Sequence, residues 1–282
     1  MTPDMQGQQG LIDLYAKHPL QAATILARIV RQRGTLDGIT ELDLAHDSRT
    51  EITDQNHVGG VASVVQLAAR AGVGPESRVL DIGAGLGGSA RCLAYFFGCR
   101  VDGVELSPLR CADATTLSQR VGLAHLVTIT CGDILSVEAP RRRFDVIWGQ
   151  GAWMHIADTA ALLDRAAGAI VPGGRLVFEE GYRKRSPRDD AEAGLLAELE
   201  RLWGGHFLSS EAWSAALTRA AFDQPVIDEL TDAFVADFER LATIARTHGE
   251  AAYPPHEVAA FEHALTLARS GVIGYARFAT RH

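Results

Sequence analysis

The feature that most restricts what this chain can fold into is the run Val79-Leu80-Asp81-Ile82-Gly83-Ala84-Gly85-Leu86-Gly87-Gly88-Ser89. Its first residues suit a buried strand, and its glycines turn that strand directly into a helix. Glycine at 83 and 85 lets the backbone approach a ligand without a Cβ in the way, and a helix starting near Gly87 aims free N–H groups at it. A strand, a ligand-binding turn and a helix in succession form the first half of a βαβ unit, which commits the chain to an α/β sheet.

The alternation continues downstream. Strands are expected at 78–82, 100–105, 127–131, 144–148 and 175–179, with helices at 88–97, 108–121 and 158–169 between them. Ser107-Pro108 reads as an N-cap followed by proline at the first helical position, and Pro172-Gly173-Gly174 as the turn into the fifth strand. Five strands in βα alternation predict a parallel sheet. Beyond them, helices are expected around 191–203 and 209–221, a strand near 225–230, a long helix at 232–248 and a terminal strand at 272–280. The last two strands would give the parallel sheet an antiparallel edge.

Upstream, 11–33 has helical periodicity broken at Pro19, 34–57 is polar and weakly periodic like a lid, and 61–71 reads as a helix stopped by Gly72. The expected organisation is a helical cap and lid over 1–60, then an α/β domain over 61–282 with a substrate-cap insertion around 182–222. The N-terminal helices are expected to cap a pocket or to pair two subunits.

Composition narrows the partners. At 47% hydrophobic and 22% charged the 282 residues can build one full core, and a net charge of −8 argues against a nucleic-acid partner held through phosphates. The basic stretch Arg183, Lys184, Arg185 and Arg188 reads as a solvated turn. Cys92, Cys99, Cys111 and Cys131 lack the spacing of a zinc site or redox dithiol, so no metal is expected. With a polar first decade and no apolar run long enough to span a bilayer, no membrane partner and a cytoplasmic setting are expected.

Gly83, Gly85 and Gly88 also satisfy GxGxxG, so an NAD-dependent oxidoreductase competes as a reading. Asp81 separates the two: a carboxylate beside the loop repels a pyrophosphate but suits a cationic amino-acid group, which favours S-adenosylmethionine. Glu105 ends the second strand, where an acid can accept from ribose hydroxyls, and Gly132-Asp133-Ile134 ends the third, where an acid and an apolar side chain can receive an amine and cover a ring.

Taken together, DIGAGLGG, VDGVELS, CGDI, FDVIWGQGAWMHI and IVPGGRLVFEE resemble the class I S-adenosylmethionine-dependent methyltransferases. DQNHVGG and WGQGAWMHI are similar to the sarcosine/dimethylglycine-type and natural-product small-molecule members. The resemblance implies a doubly wound, mostly parallel, seven-stranded Rossmann-like sheet with an N-terminal helical cap. It implies that Asp81, Gly83 and Gly85 contact the methionine portion, Glu105 the ribose and Asp133 the adenine edge, that Leu106 and Ile134 pack on the ring, and that Gln150 faces the reacting sulfonium. The expected reaction is methylation of a small molecule, nitrogen slightly favoured over oxygen, sulfur or carbon. A cyclase or a non-transferring binding protein on the same fold is the further alternative.

For the acceptor side, His57 in the entry segment and His155 past the fourth strand are the candidate catalytic bases. Glu179 and Glu180 are read as ending the fifth strand, one of them, Glu180 by preference, binding a cationic substrate and the other facing solvent. Trp153 and Tyr182 are the expected aromatic substrate contacts, with Trp203, Phe207 and Trp213 as further candidates.

Overall fold

The computed structural model describes residues 3–47, 50–138, 141–248 and 253–282. β1 (Arg78–Ile82), buried at every position after Arg78, lies mid-sheet and pairs in parallel with β2 (Arg100–Glu105) and β4 (Phe144–Gln150). β3 (Val127–Cys131) extends the sheet beyond β2, and β5 (Ile170–Arg183) beyond β4, both in parallel. β7 (Ile273–Arg281) then runs antiparallel to β5, with β6 (Val226–Glu229) outside it. The order β3-β2-β1-β4-β5-β7-β6 reverses direction between β1 and β4, and such a switch opens a crevice above the strands' C-terminal ends.

Two helical layers cover the sheet. α4 (Gly60–Ala71) and α5 (Gly88–Phe97) bury Leu67, Ala90 and Leu93 against Val79, Val101 and Trp148. On the other face α7 (Thr159–Ala169) and α9 (Ser210–Arg219) pack Leu163, Ala166 and Trp213 on Leu176 and Phe178. Between them in sequence, α6 (Pro108–Arg120) joins β2 to β3. Ser107 has the position of its N-cap, but its hydroxyl makes no capping bond; the Glu105 carboxylate takes the Ser107 N–H instead, at 2.8 Å.

Two stretches differ from the sequence expectation. β5 continues to Arg183 because β7 pairs with it as far as Ile273, which carries Glu179 and Glu180 into the sheet interior. After α8 (Asp190–Trp203), the β6–β7 connection holds α10 (Thr231–His248) and a second helix, α11 (Pro255–Ser270), where no helix was expected. α11 is buried on two sides, Ala260, Ala264, Leu267 and Ala268 in one cluster and Phe261 and Leu265 in another, so its apolar residues form no single stripe in sequence although it packs closely with α8 and α10. The basic stretch is a paired surface turn: Arg185 grips Glu192 through two bonds of 2.7 and 2.8 Å, and Lys184 meets Glu229 at 3.1 Å. All four cysteines are free, and among the described residues no helix is long and apolar enough to cross a membrane.

The N-terminal segment forms α1 (Pro3–Ala16), α2 (Ala22–Arg33) and α3 (Glu41–Ala45), with Pro19 in the break between the first two. Ile25, Ile29 and Leu44 pack with Leu86 of the glycine loop and Leu117 of α6. A buried ionic hub moors the segment: Arg91 of α5 donates to Glu41 of α3 at 2.9 Å, to Asp54 of the following loop at 2.7 Å, and to the Leu86 carbonyl at 2.7 Å. None of these three side chains reaches solvent. Burial, and then the neighbouring Asp54, push the Glu41 carboxyl well above its usual range.

Gly88 explains the fit of this loop to the helix. A Cβ there would lie 2.3 Å from the Asp54 carbonyl oxygen, so this glycine serves the docking of the entry loop.

Removing one member of a buried ion network leaves its partners charged and dry, at about 3–5 kcal/mol. Arg91→Leu is therefore expected to lower unfolding stability by that order, read as a shift of the urea midpoint; a wild-type midpoint would contradict the mooring role.

Candidate functional site

Above the β1–β2–β3 edge lies a cavity of about 1110 Å³ including its mouth. Its floor is the glycine loop. Gly83 has φ +81, and a Cβ there would come within 2.4 Å of the Ala152 side chain, so only glycine lets the loop pass the end of β4. The Gly85 N–H donates to Glu105 Oε2 at 2.9 Å, and Oε1 accepts from Ser107, so the carboxylate at the end of β2 holds the turn in shape. A carboxylate oxygen has two acceptor positions, which leaves Glu105 capacity toward the cavity.

Asp81 is buried, and its Oδ2 has no hydrogen-bond partner. Burial, with the Glu105 charge second, pushes its carboxyl up to about 7. An unpartnered buried carboxylate oxygen is costly and is relieved by a cationic or N–H donor arriving from the cavity. Asp133 accepts from the Leu135 N–H at 2.9 Å and from Gln8 Nε2 of α1 at 2.9 Å. Leu106 and Ile134 line the same cavity. Asp81, Gly83, Gly85, Glu105, Leu106, Asp133, Ile134 and Gln150 thus surround one space. Gln150 lines it from within a buried network, accepting from Ser89 at 2.8 Å and donating to Glu179 at 3.0 Å.

A second cavity, of about 1160 Å³ with its mouth, adjoins the first, sharing Tyr15, Asn56, His57, Gly151 and His155 as walls. Glu180 lines it; the Trp153 and Met154 N–H groups donate to its Oε2 at 2.7 and 3.1 Å, and burial outweighs these bonds to push its carboxyl up to about 7. Alternation along β5 sends Glu179 to the opposite face, where it is fully buried against Ser63, Gln150 and Arg277, so the expectation that one of the two acids faces solvent is corrected.

Both candidate histidines stand at the junction of the cavities. His57 Nε2 meets Gln55 Oε1 at 2.9 Å and its Nδ1 meets the Val58 carbonyl at 3.2 Å, while burial lowers its pKa. His155 Nδ1 faces the Gly204 carbonyl at 3.1 Å, and its Nε2 faces the Tyr15 hydroxyl at 3.0 Å. A neutral ring satisfies both contacts by donating from Nδ1 and accepting from the tyrosine.

Trp153 and Tyr182 line neither cavity. Trp153 stacks on Phe178 at 4.6 Å and donates to the Ile82 carbonyl at 3.1 Å, and Tyr182 bonds Glu229, so packing claims both rings. The structure brings in residues that the sequence reading missed. Tyr15 lies under the Arg110 guanidinium, 4.0 Å from ring centroid to cation, and Arg110 lines the first cavity with Nε and Nη2 unpartnered. Neither residue sits in a motif; only the folding of α1 across the sheet top unites them.

Residues 80–178 match a family model described as a methyltransferase domain. The chain is 27% identical over 182 residues to the glycine/sarcosine/dimethylglycine N-methyltransferase of Actinopolyspora halophila, covering 64% of this chain and 32% of that protein. It is 30% identical over 139 residues to the chloroplastic tocopherol O-methyltransferase of Arabidopsis thaliana, covering 47% of this chain and 40% of that one. The matches therefore span about a third to two fifths of these relatives' lengths. The structure of geranyl diphosphate C-methyltransferase from Streptomyces coelicolor A3(2), in complex with Mg2+, geranyl-S-thiolodiphosphate and S-adenosyl-L-homocysteine, superposes with a TM-score of 0.74 at 18% identity, over 100% of this chain and 98% of that chain.

Burial, with the Arg110 charge acting in the same direction, lowers the His155 pKa to about 4. In ¹⁵N NMR, the resonances lost in His155→Gln are expected to report a neutral Nδ1–H ring down to about pH 4. Titration near 6.5 would contradict the arrangement.

Proposed function

Proceeding from a chain that carries a methyltransferase domain of the class I fold, we propose that it transfers a methyl group from S-adenosylmethionine to a small molecule bound in the second cavity. The observation that carries this reading is the unpartnered, buried Asp81 oxygen beside a glycine loop that Glu105 braces. That pair suits a ligand offering an ammonium and ribose hydroxyls, with the Arg110 guanidinium beside the loop free for the ligand's carboxylate, and the Asp81 carboxylate disfavours a pyrophosphate at the strand end.

In this reading Asp81 holds the ammonium of the methionine portion, with Gly83 and Gly85 beside it, and Glu105 accepts from the ribose. Asp133 takes the adenine amine, displacing Gln8, while Leu106 and Ile134 flank the ring. Gln150 stays fixed by Ser89 and Glu179 near the reacting end. When bound, the cofactor supplies an electrophilic sulfonium methyl; the protein's task is to align the acceptor behind it, and positioning of this kind is worth up to about 7–11 kcal/mol.

His57, buried at the junction and held low in pKa, is the candidate proton acceptor, and because its two ring nitrogens face the Gln55 and Val58 oxygens it takes a proton only by turning from one of them. His155 has its Nε2 occupied by the Tyr15 hydroxyl, so its role is to position Tyr15 or to take a proton through it. Glu180 faces the acceptor space, and its carboxylate favours a nitrogen acceptor over oxygen, sulfur or carbon.

Asp81→Asn and Glu105→Ala are each expected to weaken S-adenosylhomocysteine binding about tenfold or more, through loss of charge-assisted hydrogen bonds worth about 1.5–3 kcal/mol. Unchanged affinity in titration calorimetry would reject the assigned cavity. With an acceptor found by screening for S-adenosylhomocysteine release and a product heavier by one CH₂, His57→Ala should lower turnover by about 10²–10⁴ with cofactor affinity retained. Full turnover at saturation would remove His57 as the base.

A further inference from the structure

We infer that the second cavity selects an organic cation, an amine carrying an aromatic or bulky apolar body and no anionic group. The inference deepens the methyl-transfer reading and rests on it. Four carboxylates line the space: Glu51, Glu180, Asp237 and Glu257. Among the described residues, Arg240 is the lining side chain with a guanidinium or ammonium group, and it is already paired with Glu51 and, at 3.0 Å, with Asp237. The lining histidines add no positive charge near neutral pH: burial lowers His18 to about 3, His155 to about 4, and His57 below its ordinary value. Arg110 lies across the Tyr15 ring and lines the first cavity. Burial raises the carboxyls of Glu51, Glu180 and Glu257 alike, so an entering cation relieves them, whereas a phosphate or carboxylate would find the lining Arg240 already engaged by two acids.

An acidic lining alone would not define a ligand, but two further features do. Tyr275 of β7 lines the cavity with its side chain buried and its hydroxyl without a partner, a polar group awaiting one. The wall built by α8, α10, α11 and β7 is a continuous run of rings. Phe238 lies 4.3 Å from Phe234, 5.6 Å from Trp203 and 5.6 Å from Phe261, and Phe234 stacks 5.7 Å from Tyr275. Ring faces attract organic cations and bury apolar bodies, so acids and aromatics converge on one chemistry. Glu180, held by the Trp153 and Met154 amides that immediately precede His155 of the shared wall, marks where the charged nitrogen lies.

This sets the chain apart from proteins it resembles. Glycine and sarcosine, named for the Actinopolyspora relative, carry a carboxylate, and geranyl diphosphate, named for the Streptomyces structure, carries a diphosphate.

The test is the affinity of N-methylphenethylamine against its uncharged isostere, methyl phenethyl ether, and against sarcosine and phosphoethanolamine. Each is titrated into the wild-type chain with and without S-adenosylhomocysteine. The amine is expected to bind about tenfold or more tighter than the ether and both anionic amines, the scale of one charge-assisted contact. Glu180→Gln, which keeps an acceptor for the Trp153 and Met154 amides, should remove that advantage. Tyr275→Phe deletes a hydroxyl that has no partner to lose, so it preserves the fold, and it should weaken the amine. An ether that binds as well as the amine, a preference for sarcosine or phosphoethanolamine, or variants that leave the amine's affinity intact would overturn the inference. Should S-adenosylhomocysteine fail to bind, the methyl-transfer reading falls, while the cofactor-free titrations still judge the cavity's preference.

Discussion

The site depends on one buried guanidinium. Arg91 stands on the helix that follows the glycine loop, and its bonds to Glu41 and Asp54 draw a separate stretch of chain against that helix. Charges buried in this way are poor sources of net stability, because desolvation consumes most of their attraction. Their value here is geometric: few alternative placements of the segment would satisfy all three groups. Gly88 completes the match by leaving room for the Asp54 backbone. The docked loop then carries Asn56 and His57 to the wall between the two cavities, so the ionic hub and the junction are parts of one arrangement.

The sheet divides the labour. Its β1–β2–β3 half ends in three acids that serve one cavity, and the β4–β5–β7 half, roofed by α10 and α11, forms the other. An acid buried at the end of β1 and another inside β5 both resist ionisation, and burial raises the pKa of Asp81 and Glu180 alike. Each is poised to be stabilised by a cation delivered from its own cavity. The α1 helix lies over both, with Gln8 on Asp133 and Tyr15 on His155.

What was legible in the sequence follows the range of the interactions involved. The strand–glycine–helix run, the parallel strands and the acids at their ends are written in short segments, where period and turn chemistry are local. The antiparallel edge could also be anticipated from two isolated strands after the fifth. The helix at Pro255–Ser270 could not, because its buried residues divide between two tertiary clusters and leave no single apolar stripe. Trp153 and Tyr182 looked like pocket aromatics by position, yet strand pairing and ring stacking took them into the core. Gly88 completes a GxGxxG pattern in the sequence, but the neighbour its missing Cβ makes room for, Asp54, lies 34 residues earlier in the chain. Tyr15 and Arg110, like the aromatic wall, come together only through tertiary contacts.

The central claim is that the glycine-loop cavity is built for a cationic adenosyl sulfonium, and the most direct measurement is calorimetric titration of the chain with S-adenosylmethionine, S-adenosylhomocysteine and NAD in parallel. The account predicts about micromolar binding of the first two, near −8 kcal/mol, and none of NAD. Binding of NAD without the adenosyl sulfur ligands would contradict it and transfer the cavity to hydride chemistry.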